Sequence, residues 1–489
     1  MTKYTIIAII LLVSLPLSAY ESISFKDHFI DKTMRLDYFH IADAEQEIIT
    51  LDCIYQQNNW AGNTSQLLYP FNNGLYRAKV FDIASNQLIY SKGFNSYCGE
   101  YQTTDPAMTG IKKTFHETIL IPYPRNPVFF VLEKRDKNNI YHPLFNQKID
   151  PADIHIVKET PAFRDEIVIL QENGDPHHKV DVVILSEGYS REQSKKFRQD
   201  CNHFTDALFS VEPYNSQQNK FNIRGLFRPS CEEGVDEPRK HIYKQTVLNA
   251  SFNALDLERY LLTEDNRTMR DMAAQVPYDA IVIMVNSSRY GGGGIYNFYC
   301  ISTCDNKKSL KVFLHEFGHS FAGLGDEYYA SSVAYNDFYP KGTEPPEPNI
   351  TALLNPDHVK WHDMLSDGID IPTDWNKQKY DSLQAERHHI AKMQKEELIR
   401  LDKDGASKDE KQKLNEKYKT KYSALADTTD LFLANHPLKH KIGVFEGAGY
   451  SSTGLYRPML QCLMFSNNKM EFCHVCENAI QKMIDYYTR

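Results

Sequence analysis

Past its first twenty or so residues the chain has no apolar run approaching the roughly 20 residues that a membrane-spanning helix needs, so no further membrane-spanning helix is expected. No domain is dominated by Lys and Arg. With 55 basic against 64 acidic side chains and a formal charge of −9, the chain offers no electrostatic footprint for nucleic acid or an anionic membrane surface. The Cys473/Cys476 pair is a CxxC without a second CxxC; a structural zinc site therefore lacks ligands, and the thioredoxin-like setting of a redox pair is missing too. No Lys-Ser or Lys-Thr ending follows the four glycines 291–294, which argues against a phosphate-binding loop. Internal repeats are absent, and no loop motif marks a calcium site.

What is present begins with size. At 489 residues, 42% hydrophobic and 12% aromatic, the chain suits two domains plus an insertion. Lys3, an apolar run over 6–17 and the small residues Ser18 and Ala19 form the three parts of a secretory signal peptide, expected over 1–19. The protein is then exported, secreted or periplasmic, with no membrane attachment once the signal is removed. Export permits disulfides among the nine cysteines, of which an odd number leaves at least one unpaired. The expected bridges are Cys53–Cys98 and one from Cys462 to Cys473 or Cys476.

Residues 20–160 carry short aromatic and β-branched runs, such as 75–83, 118–121 and 128–132, separated by Asn, Gly and Pro, the spacing of a β-sandwich. Residues 161–489 alternate differently. Residues 180–185 (VDVVIL) read as a buried strand, 186–190 as a polar turn and 191–210 as a helix. After these come a strand over 221–227, a helix over 255–263 and a strand over 279–285, the order of an α/β unit. Glycines 291–294 read as a flexible turn at a cleft edge. Between about 375 and 431 the composition shifts to Lys, Glu, Asp and Gln, predicting a charged, solvated helical insertion.

The chemistry concentrates in KKSLKVFLHEFGHSFAGLGDEYY, residues 307–329. In a helix, residues four apart share a face, so His315 and His319 can turn imidazole nitrogens toward one Zn²⁺. Glu316, about 100° further round, is placed to act on a water as general base. A third ligand has to follow, and Gly323 lets the chain leave the helix and return a carboxylate: Asp326, with Glu327 as the alternative. HExxH by itself also fits a helix bearing two surface histidines. The apolar run before it, the glycine and acid after it and the exported context favour a metal site. His177, His178, His388 and His389 are adjacent pairs in polar segments and read as solvated. Met464 by itself reads as core.

HEFGHSFAGLGDEYY, VDVVILSEGY and FEGAGYSSTGLYRPMLQCLMF together resemble the M64 metallopeptidases, the family named for an immunoglobulin A peptidase, and DKTMRLDYFHIADAEQE (31–47) is similar to that family's amino-terminal β domain. The resemblance implies a multidomain α+β or α/β protein, with an amino-terminal β-sandwich before a metzincin-like zinc peptidase domain. It puts His315, His319 and Asp326 on the metal positions, Glu316 on the general base and Met464 on a turn beneath the metal. Two departures stand out: Gly323 and Asp326 each fall one residue later than in the commoner HExxHxxGxxH/D pattern, and no Tyr lies two residues after Met464. The implied activity is endopeptidase cleavage of a protein or peptide, a host-derived glycoprotein among the candidates, with no oligomeric state fixed. The rival functions are a binding or adhesion module with a vestigial zinc site, against which the intact Glu316 argues, and a zinc hydrolase of a non-peptide amide.

Overall fold

Alternate residues of the strand Tyr76–Asp82 are buried, Tyr76, Ala78 and Val80 completely, because side chains of an extended strand point by turns to opposite faces. This pattern organises the amino-terminal half of the computed structural model, which describes residues 23–158, 164–329, 339–465 and 469–489. The expected signal peptide and the expected junction near 160 lie outside the described residues. Seven strands, β1 (Phe29–Ala42), β2 (Glu47–Gln57), β3 (Tyr76–Asp82), β4 (Leu88–Phe94), β5 (Lys113–Pro124), β6 (Val128–Arg135) and β7 (Tyr141–Ile149), form two antiparallel sheets in the orders β2-β1-β5 and β4-β3-β6-β7. Both sheets feed one core, with Phe29, Met34 and Ile121 from the first meeting Tyr76, Val80 and Phe130 from the second.

A buried polar set crosses the first sheet. His40 Nδ1 lies 2.7 Å from Glu117 and its Nε2 2.6 Å from Glu47. Burial alone would lower the His40 imidazolium, but the Glu117 charge and hydrogen bonds with Cys98, Glu117 and Glu47 hold it well above the ordinary histidine value. At Glu47 burial acts upward, and His40 with Lys134 overrules it, bringing the carboxyl to about 2. A raised histidine contributes stability in full below its unfolded value and loses it as pH climbs through the folded one. A depressed carboxylate contributes above its unfolded value and loses that as pH falls through the folded one. The chemical-denaturation midpoint should therefore be highest between about pH 4.5 and 6.5, and in His40→Gln the alkaline decline should flatten. An unchanged alkaline decline in that variant would remove His40 as its cause.

The second half is built on β8 (Glu166–Gln171), β9 (Val180–Glu187), β10 (Phe221–Phe227), β11 (Ala280–Val285), β12 (Gly292–Ile295) and β13 (Tyr299–Thr303), in the order β12-β13-β11-β9-β10-β8. The four inner strands run parallel, and the edges β8 and β12 are antiparallel to their neighbours. Every residue of β9 is buried, as a strand covered on both faces requires. Val182 and Ile184 face a core shared with Phe197, Phe204 and Leu208 of helix α1 (Ser194–Leu208). Val183 and Leu185 face the opposite core, shared with Met269 and Met272 of helix α2 (Asn266–Ala273) and with Tyr97, Tyr101 and Phe115 of the amino-terminal half. The whole is a mixed α+β protein with several sheets, the amino-terminal half covering one face of the parallel sheet.

Three expectations change. Residues 255–263 are not a helix: Asn253, Leu255 and Asp256 have φ of 63°, 50° and 61°, left-handed values that no right-handed helix accommodates. Instead a short 3-10 turn leads to the two-residue strand Leu261–Leu262. Glycines 292–294 are not a flexible turn but part of the edge strand β12. Cys53 and Cys98 do not pair, and neither does Cys462 with Cys473 or Cys476. All nine cysteines are free, Cys53 turning its thiol to the Ile54 carbonyl on β2 while Cys98 is buried in the second core.

Helix α3 (Ser309–Ala322) packs beside β12 and β13. Helices α4 (Lys377–Lys403) and α5 (Lys408–Ala434) pair as a hairpin whose buried residues are Tyr380, Leu383, Tyr418, Thr429 and Leu433. Strands β14 (Phe445–Ala448) and β15 (Ser451–Arg457) and helix α6 (His474–Thr488) complete the chain. Among the described residues no helix is long and apolar enough to cross a membrane.

Candidate metal centre

The residues of α3 divide by helical period. Phe313, Leu314, Phe317 and Phe321 enter the core, while His315, Glu316 and His319, on the other face, line a cleft of about 630 Å³. The two imidazoles bring their Nε2 atoms to 3.1 Å. The helix stops at Gly323, whose φ of 64° is left-handed; its N–H bonds to His319 O and that of Leu324 to Gly318 O. A Cβ there would also press within 3.0 Å of the Tyr296 ring, so glycine answers both the backbone and the packing.

Past this turn the chain returns Asp326 to the histidines. Its Oδ1 lies 2.9 Å from His315 Nε2 and 3.3 Å from His319 Nε2. Nitrogen and oxygen ligands at about 2.0 Å from a tetrahedral zinc stand about 3.3 Å apart, so the three atoms suit one ion. The surroundings suit it as well. His315 Nδ1 faces Leu463 O at 3.3 Å and His319 Nδ1 faces Leu324 O at 2.5 Å, which turns both Nε2 atoms inward. Tyr450 donates its hydroxyl to Asp326 Oδ2, whereas the buried Asp326 Oδ1 faces the two imidazoles. Such outer partners fix ligand orientation, and removing one typically weakens metal binding about 10–100-fold. Tyr450→Phe should show that loss in a chelator competition, and an unchanged affinity would deny Tyr450 the role.

Electrostatics bind the trio together. Burial would lower the His319 imidazolium, yet the Asp326 charge pushes it up to about 9. At Asp326 burial acts upward, and the two imidazoles hold the carboxyl well below the usual carboxylate range. Glu316 is raised, first by loss of solvent and further by Asp326, against the pull of His315, His319 and Arg259. The glycines of β12 bring the strand against this helix: a Cβ on Gly292 would sit 2.6 Å from Val312 Cγ1, and one on Gly294 would collide with the Glu316 backbone oxygen.

Met464 is fully buried beneath α3, its sulfur 3.2 Å from where a Gly318 Cβ would stand. Glu327, the alternative third ligand, points elsewhere. It is fully buried, donates its N–H to Met464 O at 3.0 Å and groups its carboxylate with Cys462, Cys473 and Cys476. This also corrects the expectation that the CxxC lacks companions. Arg259, Tyr290, Tyr328 and Tyr450, which sequence reasoning did not single out, line the cleft too. Of these Tyr328 stood within the 307–329 segment, and Tyr450 in the FEGAGYSSTG segment among glycines, where its φ of 64° puts it on a tight turn.

Comparison with curated proteins gives no match. Two family models do match: Peptidase M64 N-terminus over residues 24–146 and IgA Peptidase M64 over residues 168–484. The second alone spans more than half of the 489 residues and includes α3, Asp326, Tyr450 and Met464. With its characteristic amino-terminal part also present, the chain belongs to the IgA peptidase M64 family.

Proposed function

We propose that the protein is an exported zinc-dependent endopeptidase in which His315, His319 and Asp326 hold the metal and Glu316 is the general base. The observation that carries this reading is the convergence of three ligand atoms within 3.3 Å of one another, two of them on the helix that also turns Glu316 into the cleft. Zinc held there supplies a Lewis acid and brings a water's pKa toward about 7. Glu316, raised above an ordinary carboxyl, accepts a proton from the attacking water and passes it to the leaving nitrogen. Arg259, whose charge is held up by Asp326 and Glu316 and draws Glu316 down, lines the same cleft with Tyr290 and Tyr328 and is a candidate to steady charge developing on the carbonyl oxygen.

Family membership makes the substrate a protein or peptide. The base of the charged hairpin, through Tyr380, Gln384, Arg387 and Tyr422, forms one wall of the cleft, so the insertion is read as a substrate-facing element and not a purely solvated one. The shared core of the two amino-terminal sheets supports a β-sandwich, and Met464 beneath α3 supports a metzincin-like catalytic domain. Export rests on residues 1–19 alone.

Dialysis against a chelator should abolish hydrolysis of a mixed protein substrate, and added zinc should restore it. Cleavage that survives complete metal removal would sink the reading. Restored metal without cleavage of any protein, but with hydrolysis of a non-peptide amide, would transfer it to the rival hydrolase.

A further inference from the structure

We propose that Glu327, Cys462, Cys473 and Cys476 form a second, closed zinc site directly behind the first. Their four ligand atoms lie within 4.8 Å of one another, and the residues are 0%, 1%, 3% and 0% exposed. Cys462 Sγ and Cys476 Sγ are 3.8 Å apart, and Glu327 Oε1 is 3.2 Å from Cys476 Sγ and 3.8 Å from Cys473 Sγ. Thiolates at about 2.3 Å from a tetrahedral zinc stand about 3.8 Å apart, and a thiolate and a carboxylate oxygen about 3.5 Å. The three distances in the cluster lie within about 0.3 Å of these values.

The surroundings favour a thiolate at Cys462. The N–H groups of Met464 and Cys473 both point at Cys462 Sγ, at 3.4 and 3.2 Å. Cys473 caps α6 and Cys476 lies in its first turn, where the helix dipole favours negative sulfur. Glu327 Oε1 accepts from Asn349 Nδ2 at 3.0 Å and faces the Cys473 and Cys476 sulfurs, but among the described residues its buried Oε2 has no donor. The buried Arg457 gives its Nη1 to the carbonyls of Glu446 and Gly447. A buried carboxylate left in that state is costly. A Cys462–Cys476 disulfide would use two sulfurs and leave the third thiol and the carboxylate without a role; a zinc ion uses all four donors. Four protein ligands leave no open position for water, which makes the site structural.

Its placement gives it a task. Glu327 follows Asp326 directly and bonds to Met464 O, Cys462 lies two residues before Met464, and Cys473 and Cys476 belong to α6. The second ion would clamp the loop carrying Asp326, the turn beneath α3 and the carboxy-terminal helix to one another. Of two adjacent carboxylates, one serves each centre. The site does not depend on the peptidase reading.

The test is zinc stoichiometry of the full-length chain purified from zinc-replete medium, for the unmodified protein, the His315→Ala/His319→Ala double variant and Cys476→Ser. We expect two zinc ions per chain, one and one. The double variant loaded with Co²⁺ alone should show a sulfur-to-cobalt charge-transfer band, and the denatured, unreduced chain should titrate with all nine thiols of the sequence. If Cys476→Ser fails to fold, the double variant decides, since it leaves the sulfur cluster intact. Loss of all metal and of the cobalt band in a folded double variant, or a thiol count two short of nine, overturns the proposal. Retained sulfur-bound metal in a protein that cleaves nothing would leave this site standing while the peptidase reading fell.

Discussion

Replacing Glu316 by Gln should lower kcat by about 10²–10⁴-fold, the usual worth of a general base, while zinc content and fold stay as they were. The amide keeps the size and hydrogen-bonding reach of the carboxyl but cannot accept the proton. Glu316 is not among the atoms that converge on the metal position, which His315 Nε2, His319 Nε2 and Asp326 Oδ1 surround, so metal affinity should be little changed. KM should move less than kcat, because the lost interaction belongs to the transition state. A variant that keeps its zinc and its rate would remove Glu316 from the chemistry; one that loses its zinc would make Glu316 a ligand.

Asp326→Ala should empty the centre on α3. Loss of an outer partner weakens metal binding by about 10–100-fold, and loss of a ligand itself should exceed that. The substitution also withdraws the negative charge that pushes His319 up to about 9, leaving two half-buried imidazoles without the carboxylate that faces both. Chelator competition should therefore find the α3 zinc lost at concentrations where the unmodified chain retains it, with proteolysis lost in step. An Asp326→Ala chain that keeps full affinity and activity would pass the third position to another residue and invalidate the geometry described above.

The pair His315/His319 was legible in the sequence because its geometry is local: four residues in a helix fix it. So were β9, whose unbroken apolar run marks a strand covered on both faces, and the fact of a carboxylate after Gly323. The sequence preferred Asp326 to Glu327, but what holds the two apart was not legible, because it lies far away. Asn349, 24 residues beyond Gly325, bonds both to its N–H and to its carbonyl and also to Glu327, holding Glu327 inward and turning Asp326 back to the helix. Cys462 was already set beside the CxxC by the sequence, as a disulfide partner, but Glu327, standing 149 residues before Cys476, was hidden for the same reason. Residues 255–263 misled because their apolar spacing carries no mark of the left-handed backbone at Leu255 and Asp256. The charged hairpin was legible as helix, but its hold on the cleft was not: Tyr329, three residues after Asp326, bonds to Asp381 on α4 at 2.6 Å, a purely tertiary contact.

The most direct measurement is a zinc-edge anomalous difference map from crystals of protein that has been shown to cleave a polypeptide. The expected result is a peak about 2.0–2.2 Å from His315 Nε2, His319 Nε2 and Asp326 Oδ1, with the Glu316 carboxylate outside the coordination sphere. Proteolytically active protein with no peak among those three atoms would contradict it.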